Sequence, residues 1–328
     1  MNFTYLCFDM RYSVIVPVFN RPDEVKELLE SLCTQTFRDF EVILVEDGSS
    51  LPCADVADAF RNKLDIKYFT KENSGPGQTR NYGAERANGE YLIILDSDVM
   101  VPPGYFEAIE AELSREKADA FGGPDRAHPD FTPVQKAINY AMTSFFTTGG
   151  IRGGKVKMDK FYPRSFNLGI SADAYKALGG FSKMRFGEDI DLSIRIFDAG
   201  YKCRLFPEAW VWHKRRTNLK KFFKQVHNSG IARINLYKKY PSSLKLVHTL
   251  PAAFTIAAVL IVPLIPWSIA VLIDASARNR SLHIGLLAVA ASFVQLTGYG
   301  TGFLRAWWLR CVLGRNEELQ AFKKSFYK

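Results

Sequence analysis

The sequence contains few cysteines, and their arrangement argues against two common roles. Five cysteines are scattered over 328 residues, and no two of them form a Cys-x-x-Cys pair. An odd number without metal-binding spacing favours a reducing compartment and argues against a structural zinc site. Residues 1–10 also lack the basic start and the long apolar run of a secretory signal. The chain therefore does not resemble a disulfide-stabilised secreted protein.

A further absence concerns cofactors. No Gly-x-Gly-x-x-Gly segment follows the first apolar run, so the sequence lacks the fingerprint of a dinucleotide-dependent oxidoreductase. What is present is a balanced composition, 47% hydrophobic and 23% charged, which excludes a disordered chain. The formal net charge of +9 is compatible with nucleic acid, anionic lipid or phosphorylated substrates as partners. The positions of the basic residues along the sequence distinguish between these three classes of partner.

Short apolar runs alternate with helical patterns up to about Trp212. The runs that predict buried strands are Tyr12–Val18, Phe40–Val45, Ile66–Phe69, Tyr91–Leu95 and Ser165–Ile170. Strands joined by helices of this length form right-handed βαβ units and a mostly parallel sheet. We therefore predict an α/β domain over residues 12–216, preceded by an N-terminal extension, 1–11. Within it, the glycine- and lysine-rich segment 149–160 is either a functional lid or a plain disordered insertion.

Two long apolar stretches follow this domain. Leu250–Ile273 has no charged side chain, and in Leu282–Leu304 only His283 can ionise near neutral pH. Each stretch is long enough to cross a bilayer as a helix, which predicts a transmembrane hairpin over residues 246–305. A buried helical hairpin in a soluble core is the alternative, and a re-entrant hairpin is a third possibility.

Basic residues flank both stretches and continue into a tail, 306–328. By the positive-inside rule they place the flanks and the catalytic part on the cytoplasmic side of the membrane. Segment 217–245 mixes aromatic and branched side chains with lysines, as an amphipathic helix in the head-group layer does. Because the positive charge gathers beside the apolar stretches, anionic membrane lipids explain it better than nucleic acid.

Two acidic clusters carry the chemistry that the sequence suggests. Leu95-Asp96-Ser97-Asp98 ends the apolar run Tyr91–Leu95, at an edge where open α/β sheets bind ligands. Carboxylates two residues apart suit a hard divalent cation, and such a cation usually carries phosphates. The second cluster, Gly187-Glu188-Asp189-Ile190-Asp191, provides a separate carboxylate for general base catalysis. Together they predict a metal–diphosphate site with its own base.

Several ordered motifs resemble one known family. They are Val14-Ile15-Val16-Pro17-Val18-Phe19-Asn20, Val45-Glu46-Asp47-Gly48-Ser49, Asn73-Ser74-Gly75-Pro76-Gly77-Gln78-Thr79-Arg80-Asn81, Asp96-Ser97-Asp98 and Glu188-Asp189-Ile190-Asp191-Leu192. The chain resembles the inverting family 2 nucleotide-sugar glycosyltransferases over about Tyr12–Arg216. This resemblance implies the Rossmann-like GT-A fold, a nucleotide sugar as donor and Mg²⁺ or Mn²⁺ as cofactor.

The resemblance also implies roles for particular residues. Donor-binding positions would be Pro17, Asp47, Arg80 and Asp96, and metal-binding positions would be Asp98 and His213. Asp189 would be the general base, and Glu188 would bind the acceptor. Structural explanations compete with each role: a strand terminator, a turn residue, a solvated arginine, a cap, a structural histidine, or an acidic helix N-terminus favoured by the helix dipole.

The acceptor is the least determined part of the prediction. The Gln-x-x-Arg-Trp segment of processive relatives is absent, since Gln225-Val226-His227-Asn228-Ser229 does not match it. We therefore expect the addition of one sugar, to a lipid-linked glycan of surface-polysaccharide assembly or to a bare polyprenyl phosphate. A non-catalytic membrane scaffold that has kept the fold is a rival hypothesis from another class. The presence of both Asp98 and Asp189 argues against it.

Overall fold

The computed structural model describes residues 10–148, 161–258 and 264–319. The predicted lid at 149–160 lies outside these ranges, as do most of the N-terminal extension and the end of the basic tail. The strands are β1 Met10–Val18, β2 Phe40–Asp47, β3 Asp65–Lys71, β4 Gly89–Leu95, β5 Val99–Met100, β6 Ala120–Gly122, β7 Asp125–Arg126, β8 Asn167–Ser171, β9 Cys203–Leu205 and β10 Val211–His213.

The helices alternate with these strands and then continue alone. They are α1 Pro22–Cys33, α2 Ala54–Phe60, α3 Pro76–Ala84, α4 Tyr105–Arg115, α5 Pro133–Thr143, α6 Phe145–Thr148, α7 Ala172–Ala177, α8 Glu188–Asp198, α9 Leu219–Lys239, α10 Leu246–Ala257, α11 Leu264–Asn279 and α12 Leu282–Trp307. A short 3-10 helix, Pro241–Ser243, follows α9, and a π-helical turn, Trp308–Val312, extends α12.

The central sheet has seven strands in the order β3-β2-β1-β4-β8-β6-β9. Strands β3, β2, β1 and β4 are mutually parallel, β6 and β9 are parallel, and β8 runs antiparallel to both β4 and β6. The predicted α/β fold with a mostly parallel sheet is thus confirmed. The predicted strands in β1, β2, β4 and β8 form because their apolar runs are buried, as a sheet with helices on each side requires, whereas in the edge strand β3 only Ile66 is buried.

Two apolar layers cover the faces of this sheet. On one face, Val25, Leu28 and Leu32 of α1 pack in a core that also contains Phe106 of α4. On the other face, Leu192 of α8 belongs to a second core that includes side chains from β1, β2, β4 and β8. These layers fix the carboxyl ends of the strands, where the candidate site lies.

The chain divides into two compact units, the first comprising Met1–Arg126 and Phe161–His213, the second Ala127–Lys160 and Lys214–Lys328. The continuous domain predicted over 12–216 is therefore interrupted. Helix α5 belongs to the second unit because its apolar side chains Ala137, Ile138 and Ala141 share a core with Val271 and Ala288 of α11 and α12.

Helix α9 packs directly against α12 in the second unit. A Cβ atom added at Gly302 would lie 2.0 Å from the carbonyl oxygen of His227, so the two backbones touch. Side chains Phe222, Val226 and Ile231, which the sequence analysis assigned to the head-group layer, are buried against protein. Small residues on α12 make this close packing possible. The amphipathic pattern of α9 therefore reflects an intramolecular partner.

One helix in the described ranges, Leu282–Val312, is long and apolar enough to cross a membrane. The first predicted span, Leu250–Ile273, includes residues outside the described ranges, and α10 and α11 lie on either side of them. Helix α10 also contains Pro251, which removes a backbone donor within it. Within the described ranges the structure therefore shows one candidate spanning helix, and the predicted hairpin stays a prediction.

Candidate active site

Three of the predicted donor-binding positions lie at the carboxyl ends of neighbouring strands. Pro17 is the penultimate residue of β1, Asp47 is the last residue of β2, and Asp96 directly follows β4. Strand β1 lies between β2 and β4, so the chain connections diverge on either side of it. Open α/β sheets bind ligands in the crevice at such a switch point. The fold therefore brings these positions to the edge that the sequence predicted.

Asp47 organises the loop that leads into α3. Its Oδ1 accepts hydrogen bonds from the backbone N–H of Ser74 at 2.8 Å and from Lys71 Nζ at 2.6 Å. Its Oδ2 accepts a hydrogen bond from the backbone N–H of Gly75 at 2.9 Å. In this structure the carboxylate holds the loop in place, while its predicted contact with the base or ribose remains a prediction.

Glu46 points away from this loop, into the turn that follows β2. Its Oε1 accepts a hydrogen bond from the backbone N–H of Cys53 at 2.7 Å, and its Oε2 accepts one from the Ser49 hydroxyl. Asn20 supports the same turn, since its Oδ1 accepts hydrogen bonds from the backbone N–H groups of Ser50 and Leu51, both at 2.8 Å. Glu46 and Asn20 thus shape the crevice wall.

A second, three-stranded sheet brings His213 to the acidic turn. Strand β10 pairs antiparallel with β5, which sets His213 opposite Val99, the residue after Asp98. Asp96, Asp98 and His213 each offer one ligand atom, and these atoms lie within 4.8 Å of one another. His213 Nε2 is 3.3 Å from Asp98 Oδ1. The structure therefore assembles the three predicted side chains into one candidate metal centre.

The chemistry of this donor set fits the predicted cation. Two carboxylates supply the hard oxygen ligands that Mg²⁺ and Mn²⁺ both accept, and the imidazole nitrogen favours Mn²⁺. His213 Nδ1 lies 3.7 Å from Asp125 Oδ2, and a carboxylate behind a ligand histidine orients its ring. Arg21 Nη1 forms a salt bridge with Asp98 Oδ2 at 2.7 Å, so this carboxylate has a cationic partner on the side of α1.

The second acidic cluster begins α8. Gly187, with φ of 84°, adopts the left-handed conformation just before the helix, which a residue with a Cβ atom would strain. The following Glu188 and Asp189 are buried, each with 8% of its surface exposed. Asp191 is also buried and pairs with Arg195 Nη2 at 2.9 Å, so it braces the helix. Glu188 and Asp189 pair instead with arginines from outside this helix.

Arg80 joins the two acidic clusters. Its Nη2 contacts Asp96 Oδ1 at 2.7 Å, and its Nη1 contacts Glu188 Oε1 at 3.1 Å. Only 3% of its surface is exposed, and its guanidinium carbon lies 5.1 Å from the centre of the Phe181 ring. From the family resemblance, Arg80 was predicted to bind the donor. In the structure it is a buried link between the metal-side carboxylate and the carboxylate beside the candidate base.

Arg164 pairs with Asp189. Its Nε lies 2.6 Å from Asp189 Oδ2, and the backbone N–H of Ile190 donates to Asp189 Oδ1 at 2.9 Å. Burial opposes ionisation, but Arg164 and this backbone hydrogen bond outweigh it and lower the pKa of Asp189. Burial and the neighbouring Asp189 raise the pKa of Glu188 to about 7, although Arg80 acts in the opposite direction. Near neutral pH, Asp189 is therefore the ionised member of the pair.

Three functional neighbours were missed by the sequence analysis: Arg21, Asp125 and Arg164. Arg21 directly follows the Pro17-Val18-Phe19-Asn20 motif, and Arg164 directly precedes the predicted strand Ser165–Ile170. The positive charge of these two arginines, next to a motif and next to a predicted strand, was the signal in the sequence that could have identified them. Asp125 gave none, since β7 is only two residues long.

Comparisons with known proteins agree with this geometry. The family model described as Glycosyl transferase family 2 matches residues 13–177. An uncharacterised glycosyltransferase of Rickettsia felis is 32% identical over 139 residues, which is 42% of this chain and 23% of that protein. The poly(ribitol-phosphate) beta-N-acetylglucosaminyltransferase TarS of Staphylococcus aureus is 40% identical over 93 residues, 27% of this chain and 16% of TarS. The matched segments thus cover less than a quarter of these relatives.

Two solved structures share the fold over most of the chain. Residues 1–349 of S. aureus TarS, in complex with UDP-GlcNAc, give a TM-score of 0.53 at 19% identity, over 90% of this chain and 91% of that one. The mannosyltransferase PcManGT of Pyrobaculum calidifontis, with GDP-Man and Mn²⁺, gives 0.60 at 17% identity, over 92% and 88%. At these identities the likeness concerns the fold alone.

The sheet order, the carboxylates at its edge and the family match lead to one assignment. The match over 13–177 covers half of the chain and contains Pro17, Asp47, Arg80, Asp96 and Asp98. The chain belongs to glycosyl transferase family 2 and is a glycosyltransferase with a GT-A-like fold.

Proposed function

We propose that this enzyme transfers one sugar, with inversion, from a nucleoside diphosphate sugar to a hydroxyl group of a lipid-linked glycan at the cytoplasmic face of a membrane. The observation that carries the proposal is that Arg80 pairs both with Asp96 of the Asp96, Asp98 and His213 cluster and with Glu188, the residue next to Asp189. This pairing sets a cation-binding group of side chains and an ionised carboxylate in one crevice, as group transfer from a diphosphate requires.

The donor side follows from the chemistry of the cluster Asp96, Asp98 and His213. Mg²⁺ or Mn²⁺ held by these residues would neutralise the charge of the departing nucleoside diphosphate. The relatives solved with UDP-GlcNAc and with GDP-Man and Mn²⁺ support a nucleotide sugar as donor. Pro17 and the loop held by Asp47 border the same edge, where the nucleoside part would bind.

The acceptor side follows from the pair Glu188 and Asp189. Inverting transfer needs one carboxylate that accepts the proton of the acceptor hydroxyl as its oxygen attacks the anomeric carbon. Asp189 is ionised and Arg164 fixes the orientation of its carboxylate. The raised pKa of Glu188 suits a hydrogen bond to an acceptor hydroxyl. No second catalytic acid is needed because the diphosphate leaves as an anion.

The membrane part of the proposal rests on the surface of the second unit. Its helices expose large apolar side chains, among them Leu250, Ile265, Ile269, Ile273 and Leu286. Water-soluble proteins rarely expose apolar patches of this extent unless another molecule or a membrane covers them. This favours a lipid-linked glycan or, as the alternative, a polyprenyl phosphate as acceptor, with anionic lipids as further partners. It gives no reason to expect a nucleic acid partner.

Two substitutions separate the proposed roles. Asp98→Ala should abolish metal-dependent nucleotide binding, measured as Mn²⁺-dependent thermal protection by UDP- and GDP-sugars. Asp189→Asn should retain that protection and slow transfer to the lipid-linked acceptor by about 10²–10⁴-fold, because it removes only the base. The exposed Asp173→Asn serves as a control and should leave both measurements unchanged.

Two results would refute parts of this assignment. Transfer by Asp189→Asn at the parental rate would show that Asp189 is not the base. Equal protection with and without Mn²⁺ in the parent would show that the Asp96, Asp98 and His213 cluster does not serve the donor. Binding of nucleotide sugar without transfer to any lipid-linked acceptor would favour the scaffold hypothesis.

A further inference from the structure

The second unit contains a cleft between α9 and α12, apart from the catalytic crevice. Its volume is about 560 Å³. The residues that line it are Leu219, Lys220, Phe223, Lys224, His227, Val294 and Arg305. Nothing in the proposed transfer reaction uses any of these side chains.

The lining of the cleft combines an apolar interior with a cationic rim. Leu219, Phe223 and Val294 provide aliphatic and aromatic surface, and 38% of the Phe223 surface is exposed. Lys220 and Arg305 are exposed cations in the lining. Val294 and Arg305 are eleven positions apart on one helix, so the cleft extends over about 16 Å. That length accommodates a head group together with part of an acyl chain.

His227 lines the cleft with an uncharged side chain. Burial and the nearby Arg305 lower the pKa of His227, so its imidazole is neutral at pH 7. Its Nδ1 lies 3.0 Å from the Thr301 hydroxyl, which fixes the ring. The charged members of the lining are all cations, and none of them is a carboxylate.

The walls of the cleft are rigid. The backbones of α9 and α12 touch at Gly302, and a Cβ atom at Gly298 would lie 2.4 Å from Val226 Cγ2. Because the two helices are already in contact at these positions, they cannot close the cleft by moving closer together. A preformed apolar surface costs little conformational entropy to occupy.

We propose that this cleft binds one anionic phospholipid, with its phosphate among Lys220, Lys224 and Arg305 and an acyl chain along Phe223 and Val294. Each juxtamembrane cation attracts an anionic lipid, and the apolar interior provides the burial that a free phosphate cannot use. A nucleotide is less suitable, because the lining offers few hydrogen-bonding groups for a base or ribose. The inference rests on the membrane location in the proposed function and assigns a lipid site within it.

The test uses the full chain purified in detergent, followed by native mass spectrometry with added phosphatidylglycerol or phosphatidylcholine. One phosphatidylglycerol should remain bound, and phosphatidylcholine should dissociate. Lys220→Gln and Arg305→Gln should each weaken phosphatidylglycerol retention about fivefold. Lys221→Gln, the same charge change on an exposed neighbour outside the lining, should leave retention unchanged. Inorganic phosphate at equal concentration should not displace the lipid.

Several outcomes would overturn the proposal. Equal retention of both lipids would leave only an apolar surface, and equal loss in Lys221→Gln would indicate a general charge effect. Displacement by inorganic phosphate would identify an anion site without a lipid. Val294→Trp, which fills the cleft and keeps its charges, should also abolish retention. Sugar transfer is measured separately, so failure of lipid binding and failure of the proposed reaction remain distinguishable.

Discussion

The two units of the chain bury and expose opposite kinds of side chain. In the first, charged groups are buried, including Glu46, Asp47, Arg80, Glu188 and Asp189. In the second, large apolar groups are exposed; of the exposed large hydrophobic residues in the described ranges, all but Leu51 lie there. Buried charge is costly unless it is paired, and exposed apolar surface is costly in water.

This difference separates the buried charged groups of the candidate active site, in the first unit, from the exposed apolar surface, in the second. The first unit offsets the cost of burying charge by pairing it, as in Arg80 with Asp96 and Arg164 with Asp189, and the proposed reaction uses these groups. The second unit places polar contacts inside, such as Arg310 with Asn235, and leaves apolar helices outside. The amino-acid composition of the whole chain averages the two units, so it reveals neither the buried charge of the first nor the exposed apolar surface of the second.

Replacing Arg80 should damage the first unit and spare the second. In Arg80→Met, Asp96 and Glu188 lose their shared cation, and removing one partner of a buried ion pair costs about 3–5 kcal/mol. We expect hydrogen exchange to speed up in β1, β4 and α8, with α12 unchanged. Arg115→Met is the control, because 69% of that side chain is exposed and its loss should change stability by no more than about 0.5 kcal/mol. Equal exchange in the two variants would show that the buried link does not stabilise the unit.

Polar replacement on α11 should affect membrane association while leaving the fold intact. Ile265, Ile269 and Ile273 follow one another at four-residue intervals and are all more than half exposed. Changing all three to Gln removes up to about 1.5–3 kcal/mol of apolar burial per side chain if lipid covers them. We expect a larger fraction of the full chain in the soluble phase after carbonate extraction, with an unchanged thermal unfolding profile. Leu51→Gln is the control on the first unit, and an unaltered distribution of the triple variant would show that this face does not contact lipid.

The smallest expected effect is a shift in pH dependence. Arg164 helps to lower the pKa of Asp189 against the effect of burial, so Arg164→Gln should raise that pKa. A base must be ionised to act, and the acidic limb of kcat/KM should therefore move to higher pH. Arg164→Lys should restore part of the shift. An unmoved limb with reduced kcat would instead assign Arg164 to acceptor binding.

The sequence predicted those parts of the site that depend on local pattern. Apolar runs identified β1, β2 and β4 because these strands are buried on both faces, and Asp47 and Asp96 followed as the residues at the ends of β2 and β4. Gly187 and the acidic residues after it marked the start of α8 in the same way. Each of these signals lies within about ten residues of the feature that it predicts.

The remainder depends on contacts between distant segments. His213 reaches Asp98 through β5 and β10, strands of two and three residues that have no apolar period to detect. The pairing of Arg80 with Glu188 joins residues 108 positions apart. The apolar faces of α5 and α9 were visible as patterns, but a pattern does not reveal whether lipid or protein covers a face. Each of these contacts, and the burial of each of these helix faces, is determined by tertiary packing.

The interleaved order of the two units has a consequence for dissecting the chain. Segment 127–160 leaves the first unit, contributes α5 to the second, and is followed by a return to the first at Phe161. A single cut after Arg216 would strip α5 of the helices that cover Ile138 and Ala141, and the fragment would aggregate through that uncovered face. A soluble catalytic fragment therefore requires two changes, truncation after His213 and replacement of 127–160 by a short polar linker. During synthesis the same order delays completion of the catalytic crevice until β10 has left the ribosome, since His213 is among the last residues of the first unit to emerge.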